Sequence, residues 1–243
     1  MGRVLLTIDE TREFSGRVKS FRLRPGTWIN GYEIRERLGR GWEGEVYRAR
    51  EKYSRGQRVL KLFDPALYRS RWMYRYGAKL ERLSNVRGVV RFHHGGYWAP
   101  RDSHYLVMQF VAGASLARLA ASRALPLFRA VRITRELLTV VRDCHAAGCR
   151  VGDIHADNVV LAAGDRPFLI DLALGAALNR ATAMEDVAAL AALFYRLNRD
   201  RGPYSADLKR VLPRRAGALR LRYGSAANLL DALTELMGGA PPR

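Results

Sequence analysis

The sequence predicts an α+β fold, with strands gathered in its first half and helices in its second. Three observations carry this. Residues 31–63 and 88–111 hold short runs of apolar residues broken by glycines, as antiparallel strands do. Residues 126–148, the stretch from Asp186 and residues 225–237 place apolar side chains at helical spacing. Between the helical stretches, residues 150–175 read RVGDIHADNVVLAAGDRPFLIDLALG, where the runs Asn158–Leu161 and Pro167–Ile170 join through Gly164-Asp165 as a β-hairpin. The length of 243 residues allows one large domain or two smaller lobes with a sizeable core.

Residues 1–30 suggest a β extension: Val4, Leu6 and Ile8 alternate, Val18, Phe21 and Leu23 suggest a second run, and Pro25-Gly26 breaks the chain. Tyr32–Leu38 is a strand, followed by Gly39-Arg-Gly41-Trp-Glu-Gly44-Glu-Val46 and a second strand through Ala49. Glycines in a strand–turn–strand let backbone amides approach phosphate oxygens without interference from Cβ atoms. A dinucleotide-binding glycine motif needs a helix after the turn, and the alternation of Glu45-Val-Tyr-Arg-Ala disfavours one. A glycine-rich hairpin with no ligand fits the same residues. Residues 57–63 form another strand, in which Lys61 shares a face with Val59 and Phe63. Such a lysine either snorkels to water or reaches phosphates from beneath the hairpin.

Residues 88–98 suggest two short strands, and residues 104–113 a buried strand ending in Ala112-Gly113. The helix over 126–148 has Val131, Leu137, Leu138 and Val141 on one stripe and Gly148 as its stop. In the 150–175 hairpin, Asp153, Asn158 and Asp171 fall at one open end. Two carboxylates and a carboxamide suit a hard cation such as Mg²⁺, which shares oxygen ligands with phosphates. The same residue types also favour turns. The last helix, Ser225–Met237, has a Ser N-cap and a stripe of Leu229, Leu230, Leu233 and Leu236.

Taken together, these motifs resemble the protein-kinase superfamily, especially bacterial Ser/Thr kinases. Gly39-x-Gly41-x-x-Gly44-x-Val46 fits the glycine-rich loop and Val59-Leu60-Lys61 the strand lysine. Asp153-x-x-x-x-Asn158 fits the catalytic loop, and Asp171 the metal-binding Asp of the D-F-G position. The similarity runs from about Gly26 to the C-terminus. It implies a bilobal kinase-like fold: a β extension at 1–30, an antiparallel N-lobe with glycine-rich loop and hinge at 31–111, and a shortened helical C-lobe with the catalytic hairpin at 112–243.

The resemblance also implies ATP and Mg²⁺. The Gly39–Gly44 loop would cover the phosphates, with Val46 and Val59 lining the nucleotide and Lys61 on the α/β-phosphates. Met108 falls at the gatekeeper position, and the backbone of Gln109 and Val111 would pair with adenine. Asn158 and Asp171 would hold Mg²⁺, and Asp153 would accept or orient the acceptor hydroxyl's proton. His155 would contact the γ-phosphate or serve as a structural loop residue.

The family also wants a Glu on a helix within residues 64–86, to pair with the lysine. With Leu80 and Leu83 as its leucine pair, that position holds Tyr76. Glu81, the only acid between Asp64 and Asp102, either pairs from a rotated helix or sits solvated. The D-F-G stretch reads Asp-Leu-Ala, no A-P-E motif appears, and only residues 172–185 separate Asp171 from the buried-helix Asp186. That leaves little room for an activation loop. Gly152-Asp153-Ile154-His155 is similar to the loop of small-molecule and atypical kinases, such as aminoglycoside, choline and lipopolysaccharide-sugar kinases. Three functions follow: transfer to Ser/Thr of a protein, transfer to a small molecule or sugar, or a catalytically weak nucleotide-binding pseudokinase.

Composition narrows the partners. Lys and Arg number 42 against 23 Asp and Glu, for a net charge of +19, which favours an acidic partner or an anionic surface. The stretch 196–222 concentrates this charge, with only Asp200 and Asp207 against it. No zinc finger, helix-turn-helix or RNP-like pattern supports nucleic-acid binding. Cys144 and Cys149 lack metal-ligand spacing and suit a reducing, cytoplasmic setting. The opening MGRVLLTIDE is not a signal peptide, and no apolar run is long enough to span a membrane.

Overall fold

The computed structural model describes residues 20–41, 43–65, 70–122, 124–173, 176–198, 205–213 and 216–238. Several sequence expectations therefore lie outside the described residues: the run at Val4, Leu6 and Ile8, Val18, Leu174, and part of the basic stretch (Arg199, Asp200, Arg201, Arg214 and Arg215). The chain divides into two compact units. One comprises the residues through Asn85 together with Val90–Phe110, the other Val86–Val89 and the chain from Val111 onward.

The first unit is an antiparallel sheet with one helix. Its strands are β1 (Trp28–Ile29), β2 (Tyr32–Arg40), β3 (Gly44–Glu51), β4 (Gln57–Phe63), β5 (Phe92–Trp98) and β6 (Ser103–Gln109), in the spatial order β1-β2-β3-β4-β6-β5. Helix α1 (Ser70–Arg82) links β4 to β5. Residues 88–98 form one strand rather than the two expected. Val89 belongs to the second unit, where it bridges Leu169, and the Leu169 amide donates to the Gly88 carbonyl at 2.7 Å.

The register sorts this sheet into two faces, because directly opposed residues share one. Glu45, Leu62 and Tyr105 are opposed, as are Tyr47, Leu60 and Val107; with Phe21, Ile29 and Ile34 the apolar members form the buried core of the unit. On the other face, Val46 opposes Lys61 and Lys61 opposes Leu106; one row along stand Arg48, Val59 and Met108.

Residues 20–27 are turn and loop, not the second strand expected of the 1–30 extension. Two amides of the Phe21–Leu23 run go to side chains instead of a ladder. Arg22 N donates to the Glu45 carboxylate at 3.3 Å and Leu23 N to the Tyr47 hydroxyl at 3.3 Å. Glu45 is fully buried and also accepts from Ser20 Oγ at 2.7 Å and from the Tyr47 hydroxyl, with Arg37 Nη1 at 3.5 Å. Burial alone would raise its pKa, but the bonds from Ser20, Tyr47 and Arg22 outweigh burial and hold it below the ordinary 4.5. Burial and the bond to Glu45 push the Tyr47 phenol up.

The second unit is helical around a small sheet. Its helices are α2 (Leu116–Ser122), α3 (Leu127–Ala146), α4 (Arg180–Leu197), α5 (Ala206–Val211), α6 (Ala216–Arg222) and α7 (Ala226–Gly238); β7 (Ala114–Ser115), β8 (Val159–Ala162) and β9 (Arg166–Leu169) form the sheet. The α3 stripe of Val131, Leu137, Leu138 and Val141 is buried as its spacing requires, and α3 packs against α4, α7 and β9. Helix α4 begins six residues before Asp186, because Asn179 and Thr182 form a reciprocal capping box at 2.9 Å each way. The hairpin is present, but Asn158 closes a 3-10 turn just before β8 rather than opening the strand. Arg129 grips the hairpin's Asp165 with two bonds, at 2.7 and 3.0 Å, and holds that carboxyl below the usual range. No described helix is long and apolar enough to cross a membrane.

The Glu45 cluster predicts a pH dependence. A carboxylate with a lowered folded pKa contributes stability that is fully present above 4.5 and is lost as pH falls through the lowered value. The melting temperature is expected to drop on acidification from pH 6 to pH 3 (range set about the reference carboxylate pKa), and to drop less steeply in Glu45→Gln. Identical slopes in the two proteins would contradict this role.

Candidate active site

The first unit contributes a loop and a lysine. Between β2 and β3 the chain turns through Gly39, Gly41 and Gly44, closed by Gly41 N donating to Gly44 O at 3.0 Å. Gly44 has φ of 154°, and a Cβ there would lie 1.9 Å from the Leu62 carbonyl oxygen, so β3 can begin against β4 only on a glycine. Just before it, Glu43 is fixed by its backbone, whose carbonyl accepts from Asp64 N at 2.8 Å.

Lys61 is only 6% exposed. Its Nζ lies 2.5 Å from Glu43 Oε2, 5.4 Å from the centre of the Phe63 ring and 5.9 Å from that of the buried Tyr76 ring. Glu81 is exposed, so the solvated alternative holds for it. Val46, Val59, Lys61 and Met108 share one face of the sheet, as their proposed common ligand requires. Gln109 N donates to Arg91 O at 2.8 Å, and Arg91 N to Gln109 Oε1 at 3.3 Å.

The second unit contributes the loop from Cys149 to Asn158 and the hairpin after it. Asp186, 1% exposed on α4, accepts from Val151 N at 2.9 Å and Gly152 N at 2.8 Å, and meets His145 Nε2 at 2.9 Å. The loop thus anchored carries two successive left-handed residues, Gly152 at φ 64° and Asp153 at φ 52°. Gly152 is also confined: a Cβ there would lie 2.7 Å from the Ala173 methyl.

Asp153 presents a 61% exposed side chain, with its Oδ2 3.0 Å from Asn158 Nδ2 and 3.5 Å from His155 Nε2. Asn158 Nδ2 also donates to the Asp153 carbonyl at 3.0 Å. Ile170 N donates to Asn158 O at 3.0 Å, which sets Asp171 one residue beyond that pairing at the open end of the hairpin. Asp171 Oδ1 accepts from its neighbour Leu172 N at 3.0 Å, and Ala173 N donates to Val151 O at 3.1 Å, joining the Asp-Leu-Ala stretch to the anchored loop.

The expected site residues therefore fall into two sets. Gly39, Gly41, Gly44, Val46, Val59, Lys61, Met108 and Gln109 belong to the first unit; Val111, Asp153, His155, Asn158 and Asp171 belong to the second. The donor chemistry of the second set fits Mg²⁺. The amide nitrogen of Asn158 is turned to Asp153, so its oxygen and the Asp171 carboxylate are hard donors at the same hairpin end. Among the described residues no cluster of three His, Cys, Asp or Glu side chains forms a site of its own for a metal. Two residues escape the sequence patterns. Glu43 lies inside the glycine-rich loop, outside the 64–86 stretch where an acid for Lys61 is expected. His145 is seen only once α3 and α4 pack.

The family model described as protein kinase domain matches residues 32–193. Serine/threonine-protein kinase PknD of Mycobacterium tuberculosis is 28% identical over 227 residues, covering 89% of this chain and 31% of that protein. Serine/threonine-protein kinase PknE of the same species is 28% identical over 196 residues, 76% of this chain and 34% of its own length. CBL-interacting protein kinase 30 of Oryza sativa subsp. japonica is 32% identical over 150 residues, 60% of this chain and 31% of that protein. The chain thus spans about a third of the length of these curated relatives. The crystal structure of the Mycobacterium tuberculosis PknI kinase domain aligns with a TM-score of 0.65 at 22% identity, covering 88% of this chain and 99% of that one, which shows the shared fold.

The Asp186 anchor is open to measurement. Asp186→Ala would bury the Val151 and Gly152 amides without their acceptor, and is expected to lower unfolding stability by about 3 kcal/mol in denaturant titration. A loss below about 1 kcal/mol, within an ordinary surface effect, would mean that those amides find another partner.

Proposed function

The chain belongs to the protein kinase family, and on that footing we propose that it is an ATP- and Mg²⁺-dependent phosphotransferase moving the γ-phosphate to a Ser or Thr hydroxyl of a protein. The observation that supports it most is the 151–171 segment. There a buried Asp186 fixes a strained loop, Asn158 bonds Asp153, and the hairpin brings Asp171 to the same end. Phosphoryl transfer needs positioning and charge neutralisation more than covalent participation by the protein.

In this proposal the Gly39–Gly44 loop covers the phosphates through its backbone amides. Val46, Val59 and Met108 line the nucleotide, the Gln109 carbonyl and the Val111 amide meet the adenine edge, and Lys61 binds the α/β-phosphates. Asn158 Oδ1 and the Asp171 carboxylate would hold Mg²⁺, which when bound offsets charge on the β- and γ-phosphates. Asp153 accepts the proton of the acceptor hydroxyl, or orients that hydroxyl toward the γ-phosphorus. His155, beside Asp153, donates toward the γ-phosphate oxygens. The net charge of +19 favours acceptors with acidic surroundings. Action in the cytoplasm suits an ATP user whose Cys144 and Cys149 are free thiols.

A second reading rests on a specific observation. Gly152-Asp153-Ile154-His155 and the few residues between Asp171 and the start of α4 at Arg180 favour a small-molecule or sugar hydroxyl over a docked peptide.

One experiment tests both. The protein is incubated with γ-labelled ATP, Mg²⁺ and a lysate split into protein and small-molecule fractions. Label in protein bands is the expected result; label in small molecules supports the second reading. Nucleotide binding without turnover would make the chain a binding scaffold and overturn both. Asp153→Ala is expected to abolish transfer, a loss of at least about 10²-fold, while nucleotide affinity stays close to that of the unaltered protein. Undiminished turnover would remove Asp153 from its assigned role.

A further inference from the structure

We infer that Glu43, carried by the glycine-rich loop, is the carboxylate that positions Lys61 toward the nucleotide phosphates; this rests on the phosphotransferase reading above. A protein kinase needs an acid on its strand lysine, to hold the ammonium in place. Helix α1 does not present one. The position that the family pattern reserves for it holds Tyr76, whose ring is buried and faces Lys61 Nζ at 5.9 Å. Glu81, the only acid between Asp64 and Asp102, is exposed.

The loop presents the acid instead. Glu43 Oε2 lies 2.5 Å from Lys61 Nζ, close enough for a charge-assisted hydrogen bond. The contact is not a chance reach of a mobile side chain, because its backbone origin is pinned at its own carbonyl and at the next residue. The Glu43 carbonyl accepts from Asp64 N, and the next residue, Gly44, packs its α-carbon against the Leu62 carbonyl where no side chain fits. The Phe63 and Tyr76 rings flank the ammonium at cation–π range and keep water from competing for it. Glu43 is therefore a positioning residue, and its place in the fold has a mechanical meaning. In the family pattern the acid rides on a helix, so moving the helix breaks the pair. Here the acid rides on the flap over the phosphates, so the lysine is set by the flap's own closure on β4.

The 243-residue chain is used for the test, with two readouts. The first is independent of activity. A water-soluble carbodiimide activates a carboxylate, and a lysine amine in contact then displaces the urea to form an amide, so the joined peptides weigh their sum less one water. A Lys61–Glu43 cross-link is expected in the unaltered protein and not in Glu43→Gln. The second readout is steady-state turnover. Glu43→Gln is expected to lower kcat/KM for ATP about ten- to a hundredfold with an unchanged melting temperature, and Glu43→Asp to recover part of that loss.

Failure of the cross-link, turnover in Glu43→Gln within twofold of the unaltered protein, or faster turnover in that variant would each overturn the inference and leave the phosphotransferase reading standing. Faster turnover would mark Glu43 as a block on Lys61. If the unaltered protein cross-links but transfers no phosphate, the phosphotransferase reading falls and, with it, the role toward phosphates; the pairing alone survives.

Discussion

The helical unit depends on one buried carboxylate. Asp186 receives two consecutive backbone amides and the edge of a histidine, from a residue that is 1% exposed. Of the two left-handed residues, Gly152 adopts its conformation freely, while Asp153 costs on the order of 1–3 kcal/mol. Hydrogen bonds to a charged group, worth about 1.5–3 kcal/mol each, offset that strain. The anchor thus stabilises a shape that the loop would otherwise leave, and the shape aims Asp153 outward. Because Asp186 holds the amides of residues 151 and 152 and not their side chains, the turn does not depend on a polar side chain at Val151.

The other unit uses its few acids in the same way. In a chain with 42 basic residues, three acids of this unit are held by named donors. Glu45 is satisfied by a hydroxyl, a phenol and an amide, Glu33 by Arg50 and Arg35, and Glu43 by Lys61. Glu45, inside β3, faces the core side of the sheet, whereas Glu43 precedes the strand, is not bound by its alternation and turns to Lys61 on the other face. The break in alternation at Gly44 therefore lets two acids two residues apart serve opposite faces.

The α+β class, the glycine-rich turn, the lysine strand and the hairpin were all legible from local pattern, because alternation and turn chemistry act over a few residues. So was the shared face of Val59, Lys61 and Phe63, which follows from alternation along one strand, whereas Val46 and Met108 join that face only through strand pairing. What was not legible depends on contacts between distant segments. The β expectation for Phe21 and Leu23 misses because their alternation resembles a strand's, while the neighbouring amides are taken by Glu45 and Tyr47, more than twenty residues onward. The start of α4 at Arg180 is carried by a local signal, the capping pair Asn179 and Thr182 ahead of the apolar run. Glu43 stands beside the third glycine, outside the helix on which the family pattern places the lysine's acid, and only the pairing of β3 with β4 brings it to Lys61.

The segment at residues 20–23 sets a boundary on how far the chain can be shortened. Ser20 Oγ and Arg22 N are two of the donors that make the buried Glu45 charge tolerable, and Leu23 N bonds the phenol that supplies a third. A truncation starting at the glycine-rich sheet itself, though tidy by motif, would strand that carboxylate beneath the flap with half its partners removed. The minimal folding unit of this kinase half begins before its first recognisable motif.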